Sequence, residues 1–544
     1  MRNILALVLT ISGLIIPMAG AENEFARVPA ARAEQAGRIP DGVTRADIVV
    51  LADEPEGGVA NIRLPFDLEA VAQSATPLAR LQLGTLEKLP VKRPGQKSTA
   101  ERGALHVFAV HGPDDAGELA GSMPLKPGGL LNPYTIDVTR AVSEALARPP
   151  GQRKLTLEVR IEGKPLPYEV YGLAGGEGKS PVALEIASLE GWTDDFAQCL
   201  TPLATVATIY RESCLPLADD PRQELTLRLL HPAKRIIEVV VNATQDRLAE
   251  GRDWILRDGQ LVLPPGSHAP VQLAAEFFSA PHTDKNGEVK NLPTAVRLVE
   301  GTWYHERQIE VTYEPAARDW SWPAPRSTLE QLPRLKNLLT TRAPVKLILF
   351  GDSISAGYNA SKFIGVRPYQ PCWGEMVARA LEQSYGGKVT FMNHSRGGAT
   401  SAFAAGQADA QVAWFHPDLA IIAYGMNDRA EGRREQYRAN LEKIIDSVRA
   451  RSPETEFLIV TSMLNNPKQP TGLDPILFIH DEALKIARPG VALADVTAAH
   501  GELLKHKNYL DLSGNGANHP NDFLHRVYAQ QVLQVLIPAA AKHD

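Results

Sequence analysis

Four short stretches in the C-terminal part of the chain carry residue types that together could hydrolyse an ester. In order they are Gly351-Asp352-Ser353, Asn393-x-Ser395-x-x-Gly398, Gly425-x-Asn427-Asp428 and Asn518-His519-Pro520-Asn521. A serine hydroxyl is a poor nucleophile until a base takes its proton and donors receive the charge formed on the attacked carbonyl oxygen. Ser353 is the candidate nucleophile. Gly398, lacking a Cβ, lets the main chain approach an oxyanion and offer its N–H, and Asn427 offers a side-chain amide. His519 is the candidate base, because an imidazole titrates near neutral pH. Singly, these stretches read as a helix N-cap, a turn and a helix start. Four of them in this order make the chemical reading the stronger one. His525 is a rival base six positions on; Asp522 reads as the N-cap of the last helix, which puts His525 on its first turn in a structural role.

The elements that must position these residues alternate. Residues 345–350 form a nearly unbroken apolar strand, 373–383 have helical spacing, and 389–392 and 419–424 are again strands. A long charged amphipathic helix over 431–451, a strand at 457–461, a helix near 475–487 and a strand at 491–496 continue the rhythm. Such βαβα alternation predicts a parallel sheet covered by helices on both faces, with ligands at the carboxyl ends of the strands. Ser353, Gly398 and Asn427 each follow one of these strands.

On these motifs, "GDSIS", "NHSRGGATS", "GMND" and "NHPND", the chain from about 345 to 536, in a catalytic domain read over 345–544, resembles an SGNH-type member of the GDSL esterase superfamily. The resemblance implies a flavodoxin-like three-layer αβα fold, no metal or other cofactor, and acyl transfer by double displacement. Ser353 would attack and His519 relay the proton, while the Ser353 N–H, the Gly398 N–H and the Asn427 amide hold the oxyanion. One departure stands out. The family usually has an aspartate three residues before the histidine, and here that position is Gly516. An imidazole base still needs a group that fixes its tautomer and orientation. Asp511, Asp522 or a backbone carbonyl are the candidates, with Asp511 first; a Ser–His dyad is the remaining option.

Two β-rich stretches precede this domain. Residues 46–188 show short runs of period-two alternation broken by Gly, Pro and Asp, which predicts an antiparallel sandwich interrupted by one helix at 140–147. Its "IDVT" and "LTLEVRI" segments resemble sandwich modules that accompany bacterial polysaccharide-active enzymes, so it is a candidate carbohydrate-binding unit. Residues 189–325 read as a second β-rich module and 326–344 as a linker helix. Trp320 and Trp322, flanked by prolines, could form a sugar-stacking platform, but packing onto a neighbouring domain is the favoured reading.

The N-terminus reads as a secretory signal over residues 1–21, with Arg2, an apolar run at 4–16 and a small-residue cleavage site at Ala19-Gly20-Ala21. Export to a periplasm or the medium is therefore expected. With 57 basic and 63 acidic residues, and no basic run, the chain is not expected to bind nucleic acid, and no later segment is long enough to span a membrane. Export makes a Cys199–Cys214 disulfide plausible; Cys372 reads as a buried, inert thiol. The functional expectation is an exported serine esterase that deacetylates a carbohydrate polymer. The alternatives are a periplasmic lysophospholipase or arylesterase, and a non-catalytic carbohydrate-binding or polymer-assembly protein on the same scaffold.

Overall fold

A computed structural model describes residues 200–203, 205–278, 281–283, 289–291, 296–316, 322–469 and 472–537, and before residue 200 a set of strands, one helix and short turns. The expected signal segment, Cys199 and Trp320 lie outside the described residues.

Five strands, Val345–Gly351 (β1), Val389–Asn393 (β2), Leu419–Ala423 (β3), Glu456–Val460 (β4) and Val491–Ala494 (β5), make one sheet of order β2-β1-β3-β4-β5. All its pairings are parallel. Helices follow the strands in turn: Trp373–Tyr385 (α1), Ser401–Gln411 (α2), Tyr437–Arg451 (α3), Asp474–Ala483 (α4), Val496–Leu503 (α5) and Asp522–Leu536 (α6). Because successive strand side chains point to opposite faces, each strand feeds two cores. Leu347, Leu349, Ile421 and Leu458 pack with α1, α5 and α6, whereas Ile348, Phe350, Ile422 and Ile459 pack with α2, α3 and α4. This is the expected three-layer α/β domain. The chain leaves β1 outward to β2 and then returns to β3 on the other side, so a crevice opens at the carboxyl ends of β1 and β3.

The N-cap of α6 is Asn521, one residue earlier than expected; its side chain accepts from the Leu524 N–H at 3.1 Å. Asp522 instead accepts from the Ser361 N–H at 2.8 Å. His525 does lie on the first turn, buried, with Nε2 3.2 Å from the Tyr358 carbonyl.

Before residue 200, two antiparallel sheets enclose a core of their own. Gly58–Asp67, Lys154–Glu162 and Ala104–Val110 supply Leu64, Leu157 and Val107 from one sheet, and Pro77–Gln82 and Ala183–Ser188 supply Leu81 and Ile186 from the other. The expected helix is present at Thr139–Leu146 and buries Val142 and Ala145 in that core. This sandwich docks beside β2. Glu118 meets Lys388 at 2.5 Å, Arg140 meets Glu382 at 3.6 Å, and His106 Nε2 lies 3.3 Å from His394 Nε2.

The second β-rich region, expected over 189–325, joins the hydrolase domain. Its three-stranded sheet of Ile209–Cys214, Ile309–Pro315 and Ala233–Val241 shares one continuous core with the hydrolase domain: Ile209, Val239, Val311 and Tyr313 pack in the same cluster as Leu347, Val377, Leu512 and Val527. Polar clips reinforce the join. Gln308 Nε2 donates to the Leu510 and Ser513 carbonyls, both at 3.0 Å, and Lys507 pairs with Glu212 at 2.8 Å with both side chains wholly buried. Removing one partner of such a pair typically costs about 3–5 kcal/mol, because the other charge stays buried. Trp322 packs against this core. Cys214 is a free thiol, 3.1 Å from Lys507 Nζ, so the expected pairing with Cys199 is not formed. Burial pushes the Cys214 thiol up to about 12 and that of Cys372, half-buried and also free, up to about 11, away from the thiolate form.

Candidate active site

The site sits at the crevice between β1 and β3. β1 ends at Gly351, where a Cβ would lie 2.4 Å from Ser355 Oγ and 2.7 Å from the Ala423 carbonyl; only glycine lets the chain turn this tightly. Asp352 then caps the short helix Ser353–Ala356, accepting from the Ile354 N–H at 3.0 Å. Burial pushes the Asp352 carboxyl up to about 7, against the opposing pull of that N–H and of the His519 imidazole. Ser353, at the helix start, is buried with its Oγ 2.9 Å from His519 Nε2. The helix cap is Asp352, and the neighbouring Ser353 is the residue that faces His519.

The second and third stretches are clipped to the first and to each other. Asn393 Nδ2 donates to the Ser355 carbonyl at 2.9 Å, and the Arg396 N–H to the Gly351 carbonyl at 2.9 Å. Gly398 adopts φ +74, and an added Cβ would meet nothing within 4 Å, so this position faces open space. Buried Asp428 accepts from the Ser401 N–H and, at 2.6 Å, from the Ser401 hydroxyl, tying the loop after β3 to the start of α2. Asn427 Nδ2 donates one hydrogen to the Ala399 carbonyl at 3.0 Å, which fixes the amide and leaves its second N–H. Among the described residues no acceptor takes the N–H of Ser353 or of Gly398.

His519 is held by its own loop. Asn515 Oδ1 accepts from the Ala517, Asn518 and His519 N–H groups, each at 3.0 Å, and the His519 carbonyl accepts from the Gly514 N–H at 2.9 Å. The Tyr358 ring packs edge-on against the imidazole, centroids 5.2 Å apart. Nδ1 has two neighbours, Asn359 Oδ1 and Glu300 Oε2, both at 3.1 Å. Asn359 Nδ2 donates to the Gly301 and Gly514 carbonyls at 3.2 and 3.0 Å, so the atom it turns toward His519 is its acceptor oxygen. Two acceptors at Nδ1 place the proton there and leave the Nε2 lone pair toward the serine hydroxyl. That is the tautomer a general base requires.

Asp511 is elsewhere. Its Oδ1 accepts from the Leu215 N–H at 2.7 Å and its Oδ2 from the Asn508 N–H at 3.1 Å; Lys507 lies at 3.8 Å. It ties the 508–512 turn to the second β-rich region and is not a partner of His519. Asp522, the other aspartate considered, is equally removed, and both groups at Nδ1 are side-chain oxygens, not a backbone carbonyl.

Residues 349–527 match the family model described as the GDSL-like Lipase/Acylhydrolase family. The domain at the C-terminal end is a GDSL-type ester hydrolase. Among solved structures, the chain resembles an acetylxylan esterase from Geobacillus stearothermophilus at 19% identity, covering 35% of this chain and 93% of that one, with a TM-score of 0.30. It resembles a member of the lipolytic G-D-S-L family from Veillonella parvula at 19% identity, covering 36% and 98%, with a TM-score of 0.29. A two-domain esterase active on acetylated mannans is 19% identical over 39% of this chain and 54% of that one, with a TM-score of 0.32. No curated protein matches the sequence.

Sequence reasoning missed the two groups at Nδ1 of the GDSL domain's histidine. Asn359 was within reach, since it closes the six-residue loop after Ser353. Glu300 was not. It lies 219 positions from His519 in a segment with no motif, and only the glycine at 516 signalled that a carboxylate, if present, had to come from outside the usual place.

Proposed function

We propose that the protein is an exported serine esterase that removes acetyl groups from a polysaccharide. The observation that carries the esterase part is the 2.9 Å contact between Ser353 Oγ and His519 Nε2, with the Nδ1 proton held on the far side of the ring. Ser353 attacks the ester carbonyl and passes its proton to Nε2. The carbonyl oxygen, now negative, takes hydrogen bonds from the Ser353 and Gly398 N–H groups and the remaining Asn427 N–H. As the tetrahedral species collapses, His519 returns the proton to the departing sugar oxygen. Water then attacks the acyl-enzyme, again with His519 as base, and frees the acid.

The choice of a polysaccharide ester rests on the signal-like N-terminus and on the β-sandwich beside the hydrolase domain, an argument by association with enzymes that work on polymers. The non-catalytic alternative drew its only support from the missing aspartate at 516. Glu300 and Asn359 at Nδ1 remove that support. The test is acetate release from acetylated xylan, pectin and peptidoglycan beside a series of p-nitrophenyl esters. Acetate from a polymer, with activity falling as the acyl chain lengthens, is the expected result; inert polymers with good long-chain activity would favour the lysophospholipase or arylesterase reading.

Asn427→Ala should lower kcat on p-nitrophenyl acetate by about 100- to 1,000-fold with little change in KM, the usual cost of losing one oxyanion donor. A comparable rise in KM at constant kcat would instead assign Asn427 to ground-state binding.

A further inference from the structure

We propose that Glu300, from the second β-rich region, is the positioning carboxylate of His519, so that the catalytic site is completed by a segment outside the GDSL domain. The proposal rests on the esterase reading above and adds a residue to it.

Three independent features place that carboxylate. Glu300 Oε2 faces Nδ1 at 3.1 Å while its Oε1 accepts from Asn515 Nδ2 at 2.9 Å. Asn515 is the same side chain whose oxygen gathers the N–H groups of residues 517–519, so one asparagine sets both the histidine loop and its acid. The segment itself is anchored: the Val299 N–H donates to the Asn515 carbonyl at 3.2 Å, and the Arg297 N–H to the Phe277 carbonyl at 2.9 Å. Finally, the place an aspartate at 516 would need is taken. Gly516 adopts φ +83, and a Cβ there would lie 2.1 Å from Tyr304 Oη and 2.5 Å from the Arg297 carbonyl. Tyr304 is fully buried and donates to that same carbonyl at 2.5 Å. The 297–304 segment therefore both fills the usual aspartate position and brings a replacement.

Desolvation works against an ionised Glu300, but the hydrogen bond to His519, its charge and the Asn515 amide hold the carboxyl below its ordinary range. It is anionic at neutral pH and can stabilise the imidazolium formed when Ser353 gives up its proton. The side chain is 51% exposed, so solvent screens this effect, and Asn359 still holds the tautomer when Glu300 is removed. Both points predict a loss smaller than the roughly 10,000-fold cost of neutralising a buried triad aspartate.

The experiment is Glu300→Gln and Glu300→Asp in the full chain, with kcat, KM and the pH profile on p-nitrophenyl acetate. The groups facing His519 are Ser353, Glu300, Asn359 and the Tyr358 ring, with Asp352 and His525 near enough to interact by charge. Among these only Glu300 changes. Glu300→Gln should lower kcat by about 10- to 100-fold with KM nearly constant. Loss of an anion beside the imidazolium disfavours the protonated base, so the acid limb of the profile should move to lower pH, by on the order of one pH unit. Glu300→Asp should recover part of the rate and return the limb toward its original position. A folded Glu300→Gln protein with unchanged kcat and acid limb would overturn the proposal; a lower kcat with an unmoved limb in both variants would reduce Glu300 to a structural prop and overturn it as well. Activity that survives Ser353→Ala would overturn the esterase reading itself, which is a separate result.

Discussion

Ser353→Ala is expected to lower kcat on p-nitrophenyl acetate by about 10,000- to 1,000,000-fold, with the Tm little changed. The oxygen removed is the atom that forms the covalent bond, so no neighbouring group can replace it. His519→Ala should cost about as much, and the double variant scarcely more than either, because nucleophile and base act as a unit. What remains in all three is the contribution of the oxyanion donors, on the order of 1,000-fold over water. Rapid mixing provides the sharper measurement: the wild-type protein should show a burst of p-nitrophenol equal to the enzyme concentration, and neither single variant should. Additive losses, or a burst that persists in Ser353→Ala, would mean that another group attacks the ester.

Gly516→Asp, which places an aspartate three positions before His519, is expected to damage the protein instead of improving it. The backbone there has φ +83, in the left-handed region, at a cost of roughly 1–2 kcal/mol for a residue with a side chain. The Cβ would also lie 2.1 Å from the buried Tyr304 hydroxyl, and overpacking of this kind adds about 1–3 kcal/mol. Denaturant unfolding should therefore show a loss of about 2–5 kcal/mol, and Gly516→Ala most of the same loss, since the Cβ causes it. Activity should fall with the displacement of the 297–304 segment. A Gly516→Asp protein as stable as the wild type and at least as active would show that the pocket can accept an aspartate after all.

The half of the fold that holds Ser353 was legible because its strands and its motifs agreed. Strands at 345–350 and 419–424 are apolar at nearly every position, as strands buried on both faces must be, and the motif residues follow them directly. His519 was legible from its motif alone, and its partners were not. Asp511 is only eight positions from His519, yet the turn at 508–512 points its carboxylate toward Leu215, away from the imidazole. Nearness in sequence says little about side-chain direction in a loop. The second β-rich region was legible as strands but not in its allegiance, because Val239, Val311 and Tyr313 have the same apolar pattern whether they face a private core or a shared one. Cys214 misled for a related reason: its spacing from Cys199 suited a disulfide, while its burial beside Lys507 is a tertiary fact.

The shared core changes what counts as the inheritable unit of this enzyme. A recombination event, or a cloning boundary, placed at residue 345 would deliver the serine, the glycine, the asparagine and the histidine, but it would cut through a packed interior. The recipient would gain an open hydrophobic wound where Val311 and Tyr313 had been, and a histidine without its acid. A cut just before residue 200 would spare this interior, because the β-sandwich there has a core of its own and meets the hydrolase domain through contacts such as Glu118–Lys388 and His106–His394. The described residues between 200 and 537 share that interior, so a boundary that keeps the site whole has to fall before residue 200.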